Sequence, residues 1–160
     1  MESITTLIVD DERPFGNIVS QRLRQRGITA SAVSSGPEAL LRLAQTHRIE
    51  VVVLDLKMPG IDGIDTLRSI KKTTPLVEVV MLTGHATIDS AIEAMKSGAF
   101  DYLTKPFDID QLVEKITAAA RKKRDRDAKI REIRARPYIS EREREEMIKR
   151  LLETEVKLDT

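Results

Sequence analysis

Cysteine is absent from the 160 residues of this chain. The absence excludes disulfide bonds, thiolate nucleophiles and cysteine-ligated zinc sites. The two histidines, His47 and His85, are far apart in the sequence and form no clustered metal-binding pattern. A reducing compartment is compatible with this composition but is not required by it. The chemistry of the protein must therefore be sought among carboxylates, hydroxyls and amines.

Long hydrophobic runs and an excess of one charge are also missing. The N-terminal segment MESITTLIVDDERP passes from a short apolar patch directly into acidic residues, without the basic region of a signal peptide. The 27 Lys and Arg nearly balance the 26 Asp and Glu, giving a net charge of +1. Such a balance gives no whole-molecule argument for binding nucleic acid or a membrane. We expect a soluble, cytoplasmic protein whose function is read from local sites.

The density of charge changes near residue 120. Residues 1–120 contain 13 Lys and Arg and 16 Asp and Glu, whereas residues 121–160 contain 14 and 10. A compact domain over residues 1–120 is therefore predicted, followed by a charged helical extension over residues 121–160.

Short β-branched or apolar runs alternate with helical patterns in the first 120 residues. The predicted strands are Ile4–Val9, Ile28–Val33, Val51–Leu54, Val77–Leu82 and Phe100–Leu103. The predicted helices are Pro14–Gln25, Pro37–Thr46, Ile64–Lys71 and Thr87–Lys96, with a fifth that begins near Asp108. Pro14 and Pro37 suit first-turn positions, and Gly27 and Gly98 suit helix C-caps. The third and fourth strands are continuously apolar, so both of their faces should be covered. The fold class predicted is α/β, a doubly wound five-stranded parallel sheet.

Polar residues directly follow four of the five predicted strands. They are Asp10 and Asp11 after the first strand, Asp55 after the third, Thr83 after the fourth, and Lys105 after the fifth. Ligands of such sheets bind at the carboxyl ends of the strands, so these groups should converge. Taken singly, each has an ordinary explanation, such as a helix N-cap or an exposed loop lysine. Their joint placement indicates a site.

Three carboxylates in a small volume raise one another's pKa unless a cation neutralises them. Mg²⁺ suits such a site because it takes one or two carboxylates and completes its coordination with water and phosphate oxygens. A carboxylate can itself attack phosphorus and form an aspartyl phosphate. Asp55 stands alone after the most apolar strand and is the predicted nucleophile, whereas Asp10 and Asp11 are better placed to hold the metal. A lysine ammonium and a hydroxyl beside a glycine would neutralise the remaining phosphoryl charge.

Four motifs resemble the receiver domain of two-component response regulators, and most closely the nitrogen-regulation class. They are LIVDDE at 7–12, VVVLDLKMPGIDG at 51–63, VVMLTGHA at 79–86 and GAFDYLTKPFDIDQL at 98–112. The resemblance covers about residues 3–120 and implies a flavodoxin-like or CheY-like fold. No G-x-x-x-x-G-K-[ST] phosphate loop is present in these 160 residues, so we do not expect them to contain the ATPase and DNA-binding domains of that class.

The resemblance also implies roles for individual residues. Asp55 would be the phosphoacceptor, with Asp10, Asp11, Asp55 and the backbone carbonyl of Lys57 as ligands of Mg²⁺. Thr83 would be the switch hydroxyl, Tyr102 the switch aromatic and Lys105 the phosphate-binding lysine. The peptide bond before Pro106 is expected to be cis. Lys57 and His85 occupy positions that adjust the lifetime of the acyl phosphate.

Function and partners follow from the same resemblance. A sensor histidine kinase or a phosphotransfer protein would phosphorylate Asp55, and the surface of the fourth helix, fifth strand and fifth helix would change between two states. The protein would not turn over a substrate, beyond its own phosphorylation and slow dephosphorylation. The expected output is protein–protein interaction, including a possible homodimer through that surface or through the C-terminal helices.

The extension itself is predicted to be helical. The fifth helix should continue to about residue 136, where Pro137 interrupts it. Ser140 and Glu143 form a capping-box pattern for a further helix over about residues 141–158. The apolar stripe of that helix, which comprises Met147, Ile148, Leu151, Leu152 and Val156, requires a partner. That partner would be a second subunit, the chain's own receiver or a target protein, unless the segment is a solvated linker.

Two other classes of function stay open from the sequence. Residues 121–136 carry nine Lys and Arg against three Asp and Glu, which is compatible with nucleic-acid binding. No aromatic or recognition-helix motif accompanies that charge. A Mg²⁺-dependent phosphatase that acts through Asp55 would need a general acid two residues later, where this chain has Lys57.

Overall fold

The computed structural model describes residues 2–57, 62–84 and 88–153 of the chain. Within these ranges, five strands alternate with five helices, and a sixth helix follows. The strands are β1 (Thr5–Val9), β2 (Thr29–Val33), β3 (Val51–Asp55), β4 (Glu78–Thr83) and β5 (Asp101–Thr104). The helices are α1 (Arg13–Gln25), α2 (Gly36–Gln45), α3 (Gly63–Thr73), α4 (Ile88–Lys96), α5 (Ile109–Ala135) and α6 (Glu141–Glu153).

All five strands form one parallel sheet in the order β2-β1-β3-β4-β5. In the centre of the sheet, Val53 is paired with Ile8 on one side and Val80 on the other. The strand order reverses between β1 and β3, which is the switch point at which doubly wound sheets bind ligands. The predicted fold class is confirmed.

Alternate residues of each strand contribute to two separate cores. Val52 and Leu54 of β3 pack with apolar residues of α2, α3 and α4 on one face. Val51 and Val53 pack with apolar residues of α1 and α5 on the other face. Every residue of β3 and β4 is buried, as their continuously apolar sequences predict.

The helix boundaries follow the local signals read from the sequence. Pro14 and Pro37 lie in the first turns of α1 and α2, where a missing N–H has no cost. Gly27 and Gly98 follow α1 and α4 with φ angles of 82° and 104°, a region in which L side chains are strained. Asp108 caps α5 and forms a capping box with Gln111. The start predicted for the fourth helix, at Thr87, lies outside the described residues.

Helix α5 runs without a break from Ile109 to Ala135, so the predicted domain boundary at residue 120 falls inside a helix. Its 27 residues correspond to a length of about 40 Å at 1.5 Å per residue. The part beyond residue 120 is not simply solvated, because Arg126 and Ile133 are buried. Sequence reasoning missed this burial because the acidic partners of the helix come from distant positions.

Two of those partners are glutamates at the N-terminal edge of the sheet. Glu50, just before β3, accepts hydrogen bonds from Nε and Nη2 of Arg124 at 2.6 and 2.9 Å. Glu78, the first residue of β4, accepts a hydrogen bond from Nη1 of Arg126 at 2.9 Å. These ion pairs fix the helix against the edge opposite to the predicted site.

Helix α6 folds back on α5 after a turn at Pro137. Tyr138 in this turn has a φ angle of 65° and is fully exposed, and the Ser140 hydroxyl caps α6 by accepting from the N–H of Glu143. Ile148 of α6 is buried, as is Ile133 of α5, and the two helices are in contact. Much of the apolar stripe of α6 is therefore covered by α5 of the same chain. Val156, which completes the predicted stripe, lies outside the described residues.

Among the helices of the described ranges, none has both the length and the apolar character that a membrane span requires.

Candidate functional site

Three carboxylates meet at the carboxyl ends of β3, the central strand, and of its neighbour β1. Asp10 and Asp11 directly follow β1, and Asp55 is the last residue of β3. One carboxylate oxygen of each lies within 4.8 Å of the other two. Asp10 and Asp55 are buried, whereas Asp11 is exposed to solvent. The convergence predicted from the sequence is therefore present in the structure.

Backbone N–H groups orient the two buried carboxylates. Oδ1 of Asp10 accepts a hydrogen bond from the N–H of Glu12 at 2.9 Å. Oδ1 of Asp55 accepts one from the N–H of Lys57 at 3.2 Å. Each carboxylate thus holds the loop that follows its own strand, while Oδ2 of both residues faces the ammonium group of Lys105.

Lys105 brings the positive charge of the site from the end of β5. Its Nζ lies 3.1 Å from Oδ2 of Asp10 and 3.6 Å from Oδ2 of Asp55. Its backbone N–H donates to the carbonyl of Thr83 at 2.7 Å, which fixes the loop beside β4. The Lys105–Pro106 bond is cis, as the resemblance led us to expect.

Phe15, at the first turn of α1, is a contact of Lys105 that sequence reasoning missed. The Lys105 Nζ lies 4.1 Å from the centre of the Phe15 ring, a cation–π distance. Phe15 also packs against Phe107 in an edge-to-face arrangement, with the ring centres 6.3 Å apart. No local pattern indicated this contact, because β3 and β4 separate β1 from β5 in the sheet and the segments after these two strands meet only in the folded chain.

Burial raises the pKa of the Asp55 carboxyl above its ordinary value. The hydrogen bond from Lys57 and the charge of Lys105 lower that pKa, while the charges of Asp10 and Asp11 raise it again. Desolvation is the largest of these effects, so the folded protein disfavours the ionised form of Asp55 relative to the same carboxyl in water. A cation that entered the cluster would lower this pKa.

Gly63 is a second residue that sequence reasoning did not single out for the site. A Cβ at this position would lie 2.5 Å from the carbonyl oxygens of both Asp55 and Leu56. Only glycine permits this approach of α3 to the end of β3. The sequence signal for a role of Gly63 is that it ends the motif at 51–63, which also contains Asp55. That motif supports the family resemblance but does not by itself indicate a close approach of the backbone.

The predicted switch residues lie on the neighbouring strands. Thr83 is the buried last residue of β4, one strand from Asp55. Tyr102 lies on the edge strand β5 and is 37% exposed. The backbone N–H of Lys57 is directed at Asp55, and its side chain is exposed. His85 lies outside the described residues.

The donor set of the cluster fits Mg²⁺ on chemical grounds. Asp10, Asp11 and Asp55 offer hard carboxylate oxygens within the separation that one small cation can bridge. Two of the three carboxylates are buried, so a bound cation would relieve the repulsion between their charges.

Comparison with known families gives a direct match. Residues 6–117 match the model of the response regulator receiver domain. This chain belongs to that family. Receiver domains bind Mg²⁺ at an acidic pocket, which corresponds here to the cluster of Asp10, Asp11 and Asp55. Members of the family are signalling regulators rather than enzymes that turn over a substrate.

Individual relatives agree with the family match. An NtrX-like response regulator of Rickettsia conorii is 39% identical over 121 residues, which are 74% of this chain and 25% of that protein. A response regulator receiver domain from Clostridium thermocellum is 39% identical, with a TM-score of 0.72 over 76% of this chain and 97% of that one. The beryllofluoride-activated NtrC4 receiver domain dimer is 31% identical, with a TM-score of 0.70 over 74% of this chain and 98% of that one. The chain thus spans about a quarter of the length of the curated relatives it matches.

The basic charges of residues 121–136 are largely matched by acidic groups. Arg124 and Arg126 pair with Glu50 and Glu78 of the receiver. Further pairs join Lys122 to Glu78, Lys123 to Asp127, Arg134 to Glu145 and Arg136 to Glu132. Six of the nine basic side chains therefore have an acidic neighbour within the described residues, which weakens the argument for a nucleic-acid interface.

Proposed function

We propose that this protein is a phosphorylation-dependent response regulator of a two-component system, with Asp55 as the phosphoacceptor. The observation that supports it best is the convergence of three carboxylates and one ammonium group at the switch point of the sheet. A buried carboxylate with a lysine beside it can attack phosphorus while the lysine neutralises the charge that is transferred.

The phosphoryl group would come from a phosphohistidine of a sensor kinase or phosphotransfer protein. An oxygen of Asp55 forms the new P–O bond as the P–N bond to the histidine breaks. The electron pair of the broken bond stays on the imidazole nitrogen, which takes up a proton from solvent. The products are an aspartyl phosphate on this chain and a neutral histidine on the donor.

Three groups would stabilise the transferred phosphoryl group. Mg²⁺, held by Asp10, Asp11, Asp55 and the carbonyl of Lys57, supplies the largest neutralising charge when it is bound. Lys105 exchanges its contacts with the aspartates for a phosphoryl oxygen. The Thr83 hydroxyl donates to another oxygen, and Gly84 beside it presents no side chain that would crowd that oxygen.

Output would follow from the movement of Thr83 toward the phosphoryl group. Tyr102 lies on the adjacent strand, two residues before Thr104, the register partner of Thr83, and it turns from its exposed position into the space that Thr83 leaves. The two arrangements are states of one fold, and phosphorylation shifts the population between them.

A second copy is the partner that the exposed apolar residues favour. Ile88, Ile92 and Met95 of α4 and Tyr102 of β5 are all exposed on neighbouring elements. The C-terminal helices are a weaker candidate for this dimer, because the buried residues of α6 and α5 already pack on each other. The beryllofluoride-activated receiver domain of NtrC4, a related protein, is a dimer, which supports a second copy as the partner.

The test is the intact mass of the protein after incubation with acetyl phosphate, with and without Mg²⁺. We expect a single phosphoryl adduct that requires Mg²⁺ and that hydroxylamine removes, because hydroxylamine cleaves acyl phosphates. The Asp55→Asn variant should carry no adduct. Asp62→Asn is a matched control, because Asp62 caps α3 outside the cluster.

An adduct that persists in Asp55→Asn, or one that resists hydroxylamine, would contradict the assignment of Asp55. Steady release of phosphate from monoesters would instead support the phosphatase alternative.

A further inference from the structure

A cavity of about 340 Å³ lies at the N-terminal edge of the sheet, opposite to the phosphorylation site. Its wall includes the end of α4 and the turn after it, from Met95 to Phe100. The rest of the wall is formed by residues of α3, the loop after it, β4, α5 and α6. These residues are Lys71, Pro75, Glu78, Lys122, Arg126 and Leu152. The C-terminal end of α6 therefore meets the C-terminal end of α4 at this cavity.

We propose that the end of α6 is docked against the turn after α4 at the wall of this cavity, and that phosphorylation of Asp55 loosens the docked helix by moving α4. The inference rests on the proposed function, because phosphorylation is the trigger. The docked segment is the end of α6 around Leu152, which is half-buried and forms part of the cavity wall.

Helix α4 is weakly attached to the sheet. Ala94 is its one buried residue, whereas α1, α2, α3 and α5 each bury three or more. Ile88 and Ile92 of α4 are 80% and 46% exposed. A helix with so little buried apolar area is moved at low cost in free energy. Four residues separate Thr83 at the end of β4 from Ile88 at the start of α4, so a displacement of Thr83 would act on the start of this helix.

A chain of close contacts leads from the end of α4 to the extension. Gly98 packs so tightly on Lys71 that a Cβ there would lie 3.1 Å from the lysine Cγ. Nζ of Lys71 donates to the carbonyl of Val77 at 3.0 Å and lies 3.7 Å from the Glu78 carboxylate. Glu78 in turn holds Arg126 of α5. A shift of the turn at Gly98 thus disturbs the same buried carboxylate that anchors α5.

The second route is direct contact through the cavity. Lys122 lies over the ring of Phe100, with Nζ 5.6 Å from the ring centre, so α5 contacts the turn after α4 as well. Movement of Met95 and Ser97 would change the wall against which Leu152 rests. Close-packed contacts of this kind switch between discrete arrangements rather than deforming gradually. A small shift of the cavity wall is therefore sufficient to displace the side chain of Leu152.

The natural absence of cysteine makes a cross-linking test direct. In the Ser97→Cys/Glu153→Cys variant, which keeps Leu152 in place, a short bis-maleimide should join the two thiols within one chain. Treatment with acetyl phosphate and Mg²⁺ should lower the yield of this cross-link at least fivefold. The decrease should be absent when Asp55→Asn is added to the same chain.

The matched control is the Arg134→Cys/Glu145→Cys variant. These exposed residues pair across the α5–α6 hairpin at 3.9 Å, and neither of them lines the cavity. Its cross-link yield should be the same before and after phosphorylation, because the hairpin itself stays folded. As a second measurement, hydrogen exchange on the unsubstituted protein should show at least threefold faster exchange in α6 after phosphorylation, with α2 unchanged.

Each other outcome overturns the inference in a distinguishable way. Full phosphorylation by intact mass with unchanged cross-linking and unchanged exchange in α6 would reject the coupling and leave the proposed function standing. Cross-linked dimers in place of cross-linked monomers would show that the α6 of a second copy, and not the chain's own α6, packs against the turn after α4. Absence of any adduct on Asp55 would reject the proposed function and this inference together.

Discussion

The ammonium nitrogen of Lys105 lies 3.1 Å from Oδ2 of Asp10, closer than the 3.6 Å that separates it from Oδ2 of Asp55. Lys105 is therefore positioned as the counter-ion of the whole carboxylate cluster rather than of the phosphoacceptor alone. Because a metal ion and this lysine neutralise the same carboxylates, they compete with each other electrostatically.

Removal of Lys105 should consequently separate metal binding from phosphorylation. We expect Lys105→Ala to bind Mg²⁺ several-fold more tightly, since one competing charge is removed, and to be phosphorylated by acetyl phosphate at least tenfold more slowly. Isothermal titration calorimetry measures the first effect and intact mass over time measures the second. Lys115→Ala is the matched control, because Lys115 pairs with Asp101 outside the cluster. Weaker Mg²⁺ binding in Lys105→Ala would contradict the competition.

The raised pKa of Asp55 predicts a stability effect that depends on pH. In the folded state, burial raises the pKa of this carboxyl above its unfolded value, so its ionisation opposes folding as pH rises through the folded pKa. Asp55→Asn should thus be more stable than the parent at pH 7 without Mg²⁺, because the amide carries no charge that burial penalises. The advantage should vanish below the ordinary carboxyl pKa, where Asp55 is protonated in both states. Urea denaturation from pH 3.5 to 7 measures this difference, and a gap that widens toward low pH would show the opposite sign.

Gly63 and Gly84 form a natural pair for testing how the backbone supports the site. A Cβ at Gly63 would meet two backbone carbonyl oxygens at 2.5 Å, whereas a Cβ at Gly84 would meet no atom within 4 Å. Gly63→Ala should cost roughly 2–4 kcal/mol and slow phosphorylation, because α3 or the end of β3 must shift. Gly84→Ala should change the free energy of unfolding by less than about 1 kcal/mol. Equal costs in urea denaturation would refute the proposed close approach.

The Glu78–Arg126 pair predicts an asymmetric loss of stability. Glu78 is buried and lies near Lys71 and Lys122 as well as Arg126, so its removal takes away the carboxylate that three cations share. Glu78→Ala should cost about 3–5 kcal/mol, and Arg126→Ala should cost less because two cations stay near the carboxylate. The exposed pair Arg142–Glu146 supplies the control, and Glu146→Ala should be nearly neutral. Denaturant midpoints that rank Arg126→Ala as the more damaging change would contradict this reading.

Local patterns were sufficient to predict the elements and the location of the site. Val51–Leu54 is continuously apolar, and that pattern predicted a strand covered on both faces. Asp10, Asp55 and Lys105 were found because residues after parallel strands share one edge of a sheet.

The docking of the extension was beyond such reasoning. Arg124 is separated from Glu50 by 74 residues, and no local pattern in the charged segment distinguishes Arg124 from its exposed neighbours. The contact of Phe15 with Lys105 was missed for the same reason. In the sequence, Phe15 cannot be distinguished from an ordinary core aromatic, and its contact with Lys105 forms only in the folded chain. Side-chain orientation on an edge strand, as for Tyr102, also depends on tertiary packing rather than on propensity.

The unbroken α5 also bears on how the chain folds as it is synthesised. The last strand ends at Thr104, but Arg126, the closest ion-pair partner of the buried Glu78, is made 22 residues later. A nascent chain can therefore assemble its whole sheet before the arginine that compensates this buried carboxylate has emerged. Resistance of the nascent chain to proteases should therefore rise in a second step, when the ribosome releases the distal half of α5. The receiver would reach its full stability only after this part of the extension has been made.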